Sequence, residues 1–304
     1  VNVLPVPTSL DHQTVDAFFD QVATLKEGRA LFDARHLRWV DPNGMVGLLV
    51  AGTVAGRAGG GSAVSERGAL PRLELPESAE VLGYLSRMGF FEAAKGVFDF
   101  DAPARRAAAK GASDVLLEIT PIVANADVHQ VVDRVQGKAG AILSSRLGYP
   151  VTAVVQFSVI LSEICQNIVE HAEAPGWVAA QAYNWAKRLG RYVVVISVMD
   201  VGRGFRGSLH DEHSARYGDR WGDTTALEAA FLHGITRFPD SGRGQGIQQI
   251  RKQVRRWDGA ITIRSGTARI GQVPEWDDTP PLTDGMQPFP GAQISIILPA
   301  KAGT

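Results

Sequence analysis

The sequence predicts an α/β protein built in two units, and three observations carry that reading. Along the first hundred residues, stretches with apolar residues at helical spacing alternate with short β-rich runs. A polar, alanine-rich stretch, DAPARRAAAKGAS at 101–113, offers no core residue and divides the chain. Beyond it two long apolar runs, WVAAQAYNW and RYVVVISVMD, flank a Leu189-Gly190 turn and read as an antiparallel hairpin.

Composition sets the bounds. With 304 residues, 45% hydrophobic and a net charge of −1, the chain fits a soluble globular protein of one large or two ordinary domains. The balanced charge gives no polycationic surface for non-specific nucleic-acid binding, so nucleic acid is not expected as a partner. The single cysteine, Cys165, excludes an internal disulfide, fits a reducing cytoplasmic setting, and sits where a buried structural thiol is expected. No run of about 18 apolar residues and no signal-peptide pattern is found, so no membrane span or membrane partner is expected.

Taken in order, residues 11–27 place Val15, Phe18, Phe19, Val22 and Leu25 on one helical face. RALFDARHLRWV at 29–40 reads as a strand, DPNG at 41–44 as a turn, and 45–55 as a helix. RAGGGSAVSERG at 57–68 reads as a flexible loop, 71–75 as a short strand, and 77–94 as a helix with Val81, Leu82, Leu85, Met88 and Phe91 inward. That gives a unit over 1–100, a linker over 101–111 and a second unit over 112–304. The second unit starts with the strand DVLLEITPI, a helix over 128–146 and a long helix over 151–172. After the hairpin come a helix over 226–237, another over 247–256, and strands starting at Ala260 and Ala292 with a proline-rich loop, 270–290, between them.

Three polar stretches stand out. In SEICQNIVEHA, 162–172, Glu163, Asn167 and His171 recur every fourth residue, which stacks them on one helical face. MDVGRGF, 199–205, ends a buried run on Asp200, followed by Gly202, Gly204 and Phe205. A carboxylate there needs hydrogen bonds, which a ligand amine could give, and the glycines would let a flat ring come close. SGRGQGI, 241–247, alternates Gly242, Arg243, Gly244, Gln245 and Gly246 before Ile247, the start of a helix, a placement suited to phosphate. Ile247 excludes the dinucleotide fingerprint, and no P-loop is present. Each stretch alone has an ordinary structural reading: a wet helix face, an Asp-Gly turn, a loop. HDEH at 210–213 lacks a third metal ligand, and the basic run 251–256 reads as a solvated helix face.

Order and spacing together are more specific. Glu163-Asn167-His171, Asp200-Gly202-Gly204 and Gly242-Gly244-Gly246 resemble the N, G1 and G2 boxes of the GHKL ATPase superfamily, over about 112–304. The resemblance implies a Bergerat α/β sandwich with a mixed, largely antiparallel sheet, and ATP with Mg²⁺ as cofactors. It implies Asn167 as the Mg²⁺ ligand, Glu163 as general base, and His171 near phosphate. Asp200 would take the adenine amino group, with Gly202, Gly204 and Phe205 beside the ring. Gly242 to Ile247 would cradle phosphates, Arg243 adding charge, and the 36 residues 206–241 would hold the ATP lid. One departure is Gly291-Ala292-Gln293, where many relatives have Gly-Thr; the threonine contact to adenine is lost here or supplied by another residue.

The N box looks most like that of anti-sigma-factor serine kinases. The first hundred residues resemble a STAS domain through ALFDARHLRWV, DPNG, MVGLLVAG and EVLGYLSRMGFF. Where phosphorylatable antagonists carry two serines, this chain has Pro42 and Asn43, so the unit would be a fixed docking or dimerising module. The expected function is a cytoplasmic regulatory ATPase or serine/threonine kinase whose partner is a sigma factor or STAS-type regulator, with a homodimer as a further expectation. The alternatives are a nucleotide-gated binding switch with little turnover, and a cytosolic histidine kinase. The last is disfavoured because His129 is followed by Gln130 and Val131 rather than an acid.

Overall fold

A computed structural model describes residues 1–58, 70–101, 115–145, 147–236 and 246–301. The expected linker lies outside the described residues from 102 on, as does the glycine-rich loop from 59 on. The N-terminal unit runs β1 (Asn2–Pro5), β2 (Ser9–Leu10), α1 (Val15–Ala23), β3 (Ala30–Asp33), β4 (Trp39–Val40), α2 (Pro42–Ala58), β5 (Arg72–Glu74), α3 (Ala79–Arg87) and α4 (Phe90–Ala94). β1, β3 and β5 form a parallel sheet, and β2 pairs in parallel with β4.

Local hydrogen bonds redraw four expected boundaries. The first helix starts only at Val15, because Asp11 and Thr14 close a turn before it. The strand expected over 29–40 is two strands in different sheets. β3 stops at Asp33, whose carboxylate accepts the backbone N–H and guanidinium of Arg35. The turn at 41–44 is the first turn of α2: Asp41 accepts the Gly44 N–H at 2.9 Å as a cap, and Pro42 fits a first-turn position that needs no donor. The helix over 77–94 breaks at Gly89, whose φ of 75° is left-handed.

The second unit runs β6 (Val115–Ile122), α5 (Asn125–Ser145), α6 (Val151–Asn167), a π-helical turn (Ile168–Ala172), β7 (Gly176–Trp185) and β8 (Arg191–Asp200). It continues with α7 (Gly204–Ser208), α8 (His210–Tyr217), α9 (Asp223–Phe231), α10 (Gly246–Arg256), β9 (Ala260–Gly266), β10 (Ala268–Gln272), β11 (Leu282–Thr283) and β12 (Phe289–Pro299). The strands form one sheet in the order β11-β10-β9-β12-β8-β7-β6, antiparallel at each pairing among the described residues rather than mixed. The proline-rich stretch is therefore partly strand, through the end of β10 and through β11.

Side-chain alternation along β7 and β8 serves two different cores. Val178, Ala180, Val194, Ile196 and Val198 pack under α5, α6 and α10. Trp177, Ala179, Met199 and Val201 point the other way, into a cluster that includes Phe19 of α1 and Met45, Leu48 and Leu49 of α2. The N-terminal unit is thus the second cover of the sheet. Arg264 of β9 crosses the same seam with a side chain 1% exposed. Its guanidinium donates to the Asp16 carbonyl at 2.8 Å and to Asp20 Oδ1 at 2.7 Å, and lies near the stacked Phe19 and Phe289 rings. By length and composition 152–172 would pass as a membrane-crossing helix, contrary to the expectation of no such run; in this fold half of it is buried in the protein.

Candidate functional site

The even-numbered side chains of β8 face α6, so the strand delivers Asp200 onto that face at its end. The residue is 6% exposed. Its Oδ1 accepts the Gly202 N–H at 2.8 Å and its Oδ2 the Ala292 N–H at 3.3 Å. Burial pushes the carboxyl up to about 6, against the downward pull of those two N–H groups. Asp200 lines a cleft of about 430 Å³ together with Glu163, Asn167, His171, Gly204, Phe205, Gly246 and Ile247. Members of all three polar stretches, distant in sequence, therefore meet in one cavity. Gly242, Arg243, Gly244 and Gln245 lie outside the described residues.

The expected column of three crosses a change of helix type. Glu163 and Asn167 stack one turn apart on α6, but the helix then widens into the π-helical turn, which holds His171. In that turn hydrogen bonds run i to i+5, and a spacing of four residues still keeps side chains near one face. His171 still lines the cleft. Its carbonyl accepts Arg203 Nε at 3.1 Å, and Arg203 also pairs with Glu173 at 3.0 Å, which ties the π-turn to the loop after β8.

The glycines meet close backbone and side-chain contacts. A Cβ on Gly202 would lie 2.1 Å from the Ala172 carbonyl oxygen, so this glycine lets the loop pack on the π-turn; it does not line the cleft. Gly204, at φ 64°, would drive a Cβ to 2.4 Å from Ser265 Oγ. Gly291, at φ 81°, would place one 2.0 Å from the Asp200 carbonyl oxygen. These glycines close the backbone around Asp200, and Gly204 also lines the cleft. Gly246 belongs with them: its Cβ would meet Glu163 Oε2 at 2.7 Å, so the start of α10 lies directly against that carboxylate.

Several residues of the site were not singled out in the sequence. Ser265 is buried; its hydroxyl accepts the Phe205 N–H and donates to the Gly291 carbonyl, each at 3.0 Å. It is the cross-strand neighbour of Ala292. Gln166, on the cleft wall, donates to Glu170 at 2.9 Å and to Asn125 at 3.0 Å. Neither has a motif to give it away.

The stretch 206–236 is more ordered than a lid read from sequence. The helix expected over 226–237 is α9, and α7 and α8 precede it, joined by an apolar cluster of Leu209, Trp221, Ala226 and Ala230. His213, of the HDEH stretch, donates Nε2–H to the Thr236 carbonyl at 2.8 Å. Among the described residues no group of three His, Cys, Asp or Glu is placed to hold a metal. In the basic run, Arg255 and Arg256 are solvated, but Arg251 is not. Arg251 and Gln248 both donate to the Phe231 carbonyl at 2.6 Å and so close the end of α9. Cys165 is fully buried and its thiol is pushed up to about 12 by burial, the state of a structural cysteine.

A scan against protein-family models finds no match for this chain, and a search of curated proteins finds none either.

Proposed function

We propose that the cleft is a Mg-ATP site of the GHKL type. The protein is then a regulatory ATPase or serine/threonine protein kinase of the anti-sigma kind, carrying a STAS-like N-terminal unit. Asp200 carries the reading. A carboxylate has about four acceptor directions, and this one, 6% exposed at a cleft wall, spends two on backbone N–H groups. The remaining capacity suits the exocyclic amine of adenine. Apolar residues on the cleft wall, Ile164, Val198, Phe205 and Ile294, suit the faces of a planar base.

Asn167 and Glu163, one turn apart on the same wall, fit the metal and the reaction. Mg²⁺ on a nucleotide needs only one or two protein oxygens, the rest coming from phosphate and water. Asn167 would give its amide oxygen, and the bound ion would neutralise phosphate charge. Glu163 would take the proton of a water or an acceptor hydroxyl. Asn43, at the position where antagonists carry the acceptor serine, is fully buried and has no hydroxyl. That position cannot take phosphate, and on this reading the acceptor would be on a separate protein, a sigma factor or STAS-type regulator.

A second reading is a nucleotide-gated switch with little turnover, in which Glu163, on the cleft wall against the first residue of α10, takes no proton. A single experiment separates the two. Purified protein, Mg²⁺ and γ-labelled ATP are incubated with and without host lysate, beside Glu163→Ala and Asp200→Asn. Acid-stable label on a lysate protein, lost in both variants, is the expected result. Saturable ATP binding lost in Asp200→Asn, with no transfer or hydrolysis, would leave the switch. No binding by the unaltered protein would end both readings.

A further inference from the structure

The carboxylate at the centre of the cleft is held from outside its own unit. Arg57, near the end of α2, donates Nη1–H to the Val201 carbonyl at 2.8 Å. That carbonyl and the Gly202 N–H belong to one peptide group, and no peptide bond among the described residues is cis. In a planar trans peptide the C=O and N–H point in opposite directions. The Gly202 N–H, at the opposite edge of the peptide from Arg57, is the one that donates to Asp200 Oδ1 at 2.8 Å. A cation on the carbonyl fixes the tilt of the plane and polarises it, so the N–H becomes a stronger donor. Val201 itself is locked in the seam with the N-terminal unit, 2% exposed. The second donor to Asp200 is anchored from the same side: Ala292 lies just after Phe289, whose ring stacks on Phe19 of α1 at 4.3 Å between centroids.

We propose that Arg57 is a positioning residue of the cleft, acting through the Val201–Gly202 peptide plane to hold Asp200 for its ligand, so that base recognition depends on the N-terminal unit staying docked. This rests on the nucleotide reading above and adds to it a device for regulating the same site. A partner that pulled α2 away from the sheet would release the peptide plane and loosen the nucleotide without touching the cleft. Conversely, bound nucleotide would tighten the docking of the N-terminal unit, because coupling between two sites is reciprocal.

The test is equilibrium binding of ATP and GTP, with Mg²⁺, to the full chain and to Arg57→Ala, Arg57→Lys and Asp200→Asn, with thermal unfolding of each. Arg57→Ala is expected to weaken ATP by about tenfold, the scale of one charge-assisted hydrogen bond. It should leave the weaker GTP affinity nearly unchanged, so that preference for ATP shrinks. Arg57→Lys, which can still donate to the carbonyl, should recover most of the loss. An Arg57→Ala protein with the ATP affinity and ATP-over-GTP preference of the unaltered chain would overturn the inference while leaving the nucleotide reading intact. So would an equal loss for both nucleotides that tracks a fall in unfolding temperature, since that is a general structural effect. If the unaltered chain binds no ATP, the nucleotide reading falls and takes this inference with it.

Discussion

At Asp200 the cost of the site is visible as a pH signature. Its carboxyl is held at about 6, above the ordinary value of 3.8, so the folded chain binds the proton more tightly than the unfolded one. Folding stability from this group is therefore fully present below pH 4 and is lost as pH rises through about 6. The difference amounts to roughly 3 kcal/mol. Urea unfolding across that window should show the fall in the unaltered chain and lack it in Asp200→Asn. A ligand amine favours the ionised form, so ATP affinity should rise as pH passes upward through about 6, and the asparagine variant should show no binding at either end of that window. Titration calorimetry at several pH values reads this directly. Gly202 gives a purely steric prediction. An alanine Cβ 2.1 Å from the Ala172 oxygen must push the loop off the π-turn. Gly202→Ala should lose about 1–3 kcal/mol of stability by denaturant unfolding. The polar residues around Asp200 were legible because their order and spacing are specific. Ser265 and Arg57 were not: each matters only through a backbone partner, which for Arg57 lies 144 residues away.

Elements were legible where periodicity was long and uninterrupted. The β7–β8 hairpin and α10 fall where their patterns place them, because long apolar runs and a clean amphipathic stripe outweigh local competition. The failures share a cause in short-range hydrogen bonding. Asp33 and Arg35 stop a strand that hydrophobic pattern alone would continue, and Asp41 turns a loop signal into a helix cap. The π-turn is likewise invisible to a template with fixed spacing. One signal was present and undervalued. RYVVVISVMD has no polar alternation, which is what a strand covered on both faces looks like. The cover on the outer face is pinned by Arg264, itself buried and paired with Asp16 and the partly exposed Asp20 across the seam between α1 and β9. Arg264→Ala removes a partner from Asp20 while Arg269 still holds Asp16, and should cost about 1–3 kcal/mol, whereas Arg264→Met with Asp20→Leu should recover much of that by filling the seam with apolar groups. Chemical denaturation of the three proteins checks both statements.

For the whole molecule, the shared cluster of Phe19, Met45, Leu49, Met199 and Phe289 argues against two independently folding units. Scanning calorimetry should show one cooperative transition, with calorimetric and van't Hoff enthalpies in agreement. A chain starting at 112 should expose Trp177, Met199 and Phe289 and lose solubility. The expected boundary was read from a stretch of chain poor in core residues, which says where the chain crosses but nothing about whether the units share surface once it has. The same arrangement bears on self-association of the sheet. Seven antiparallel strands, several nearly all Val and Ile, would aggregate readily if a long open margin were left at either end. One margin is β11, two residues long and preceded by Pro280 and Pro281. The other is β6, where pairing to β7 is twice out of step, Pro121 has no N–H to offer, and the Ile119 N–H is already taken by the Met88 carbonyl of the N-terminal unit at 2.9 Å. A unit that helps hold the cleft on one side thus also plugs a fibril-forming margin on the other, and anything that undocks it would free both at once.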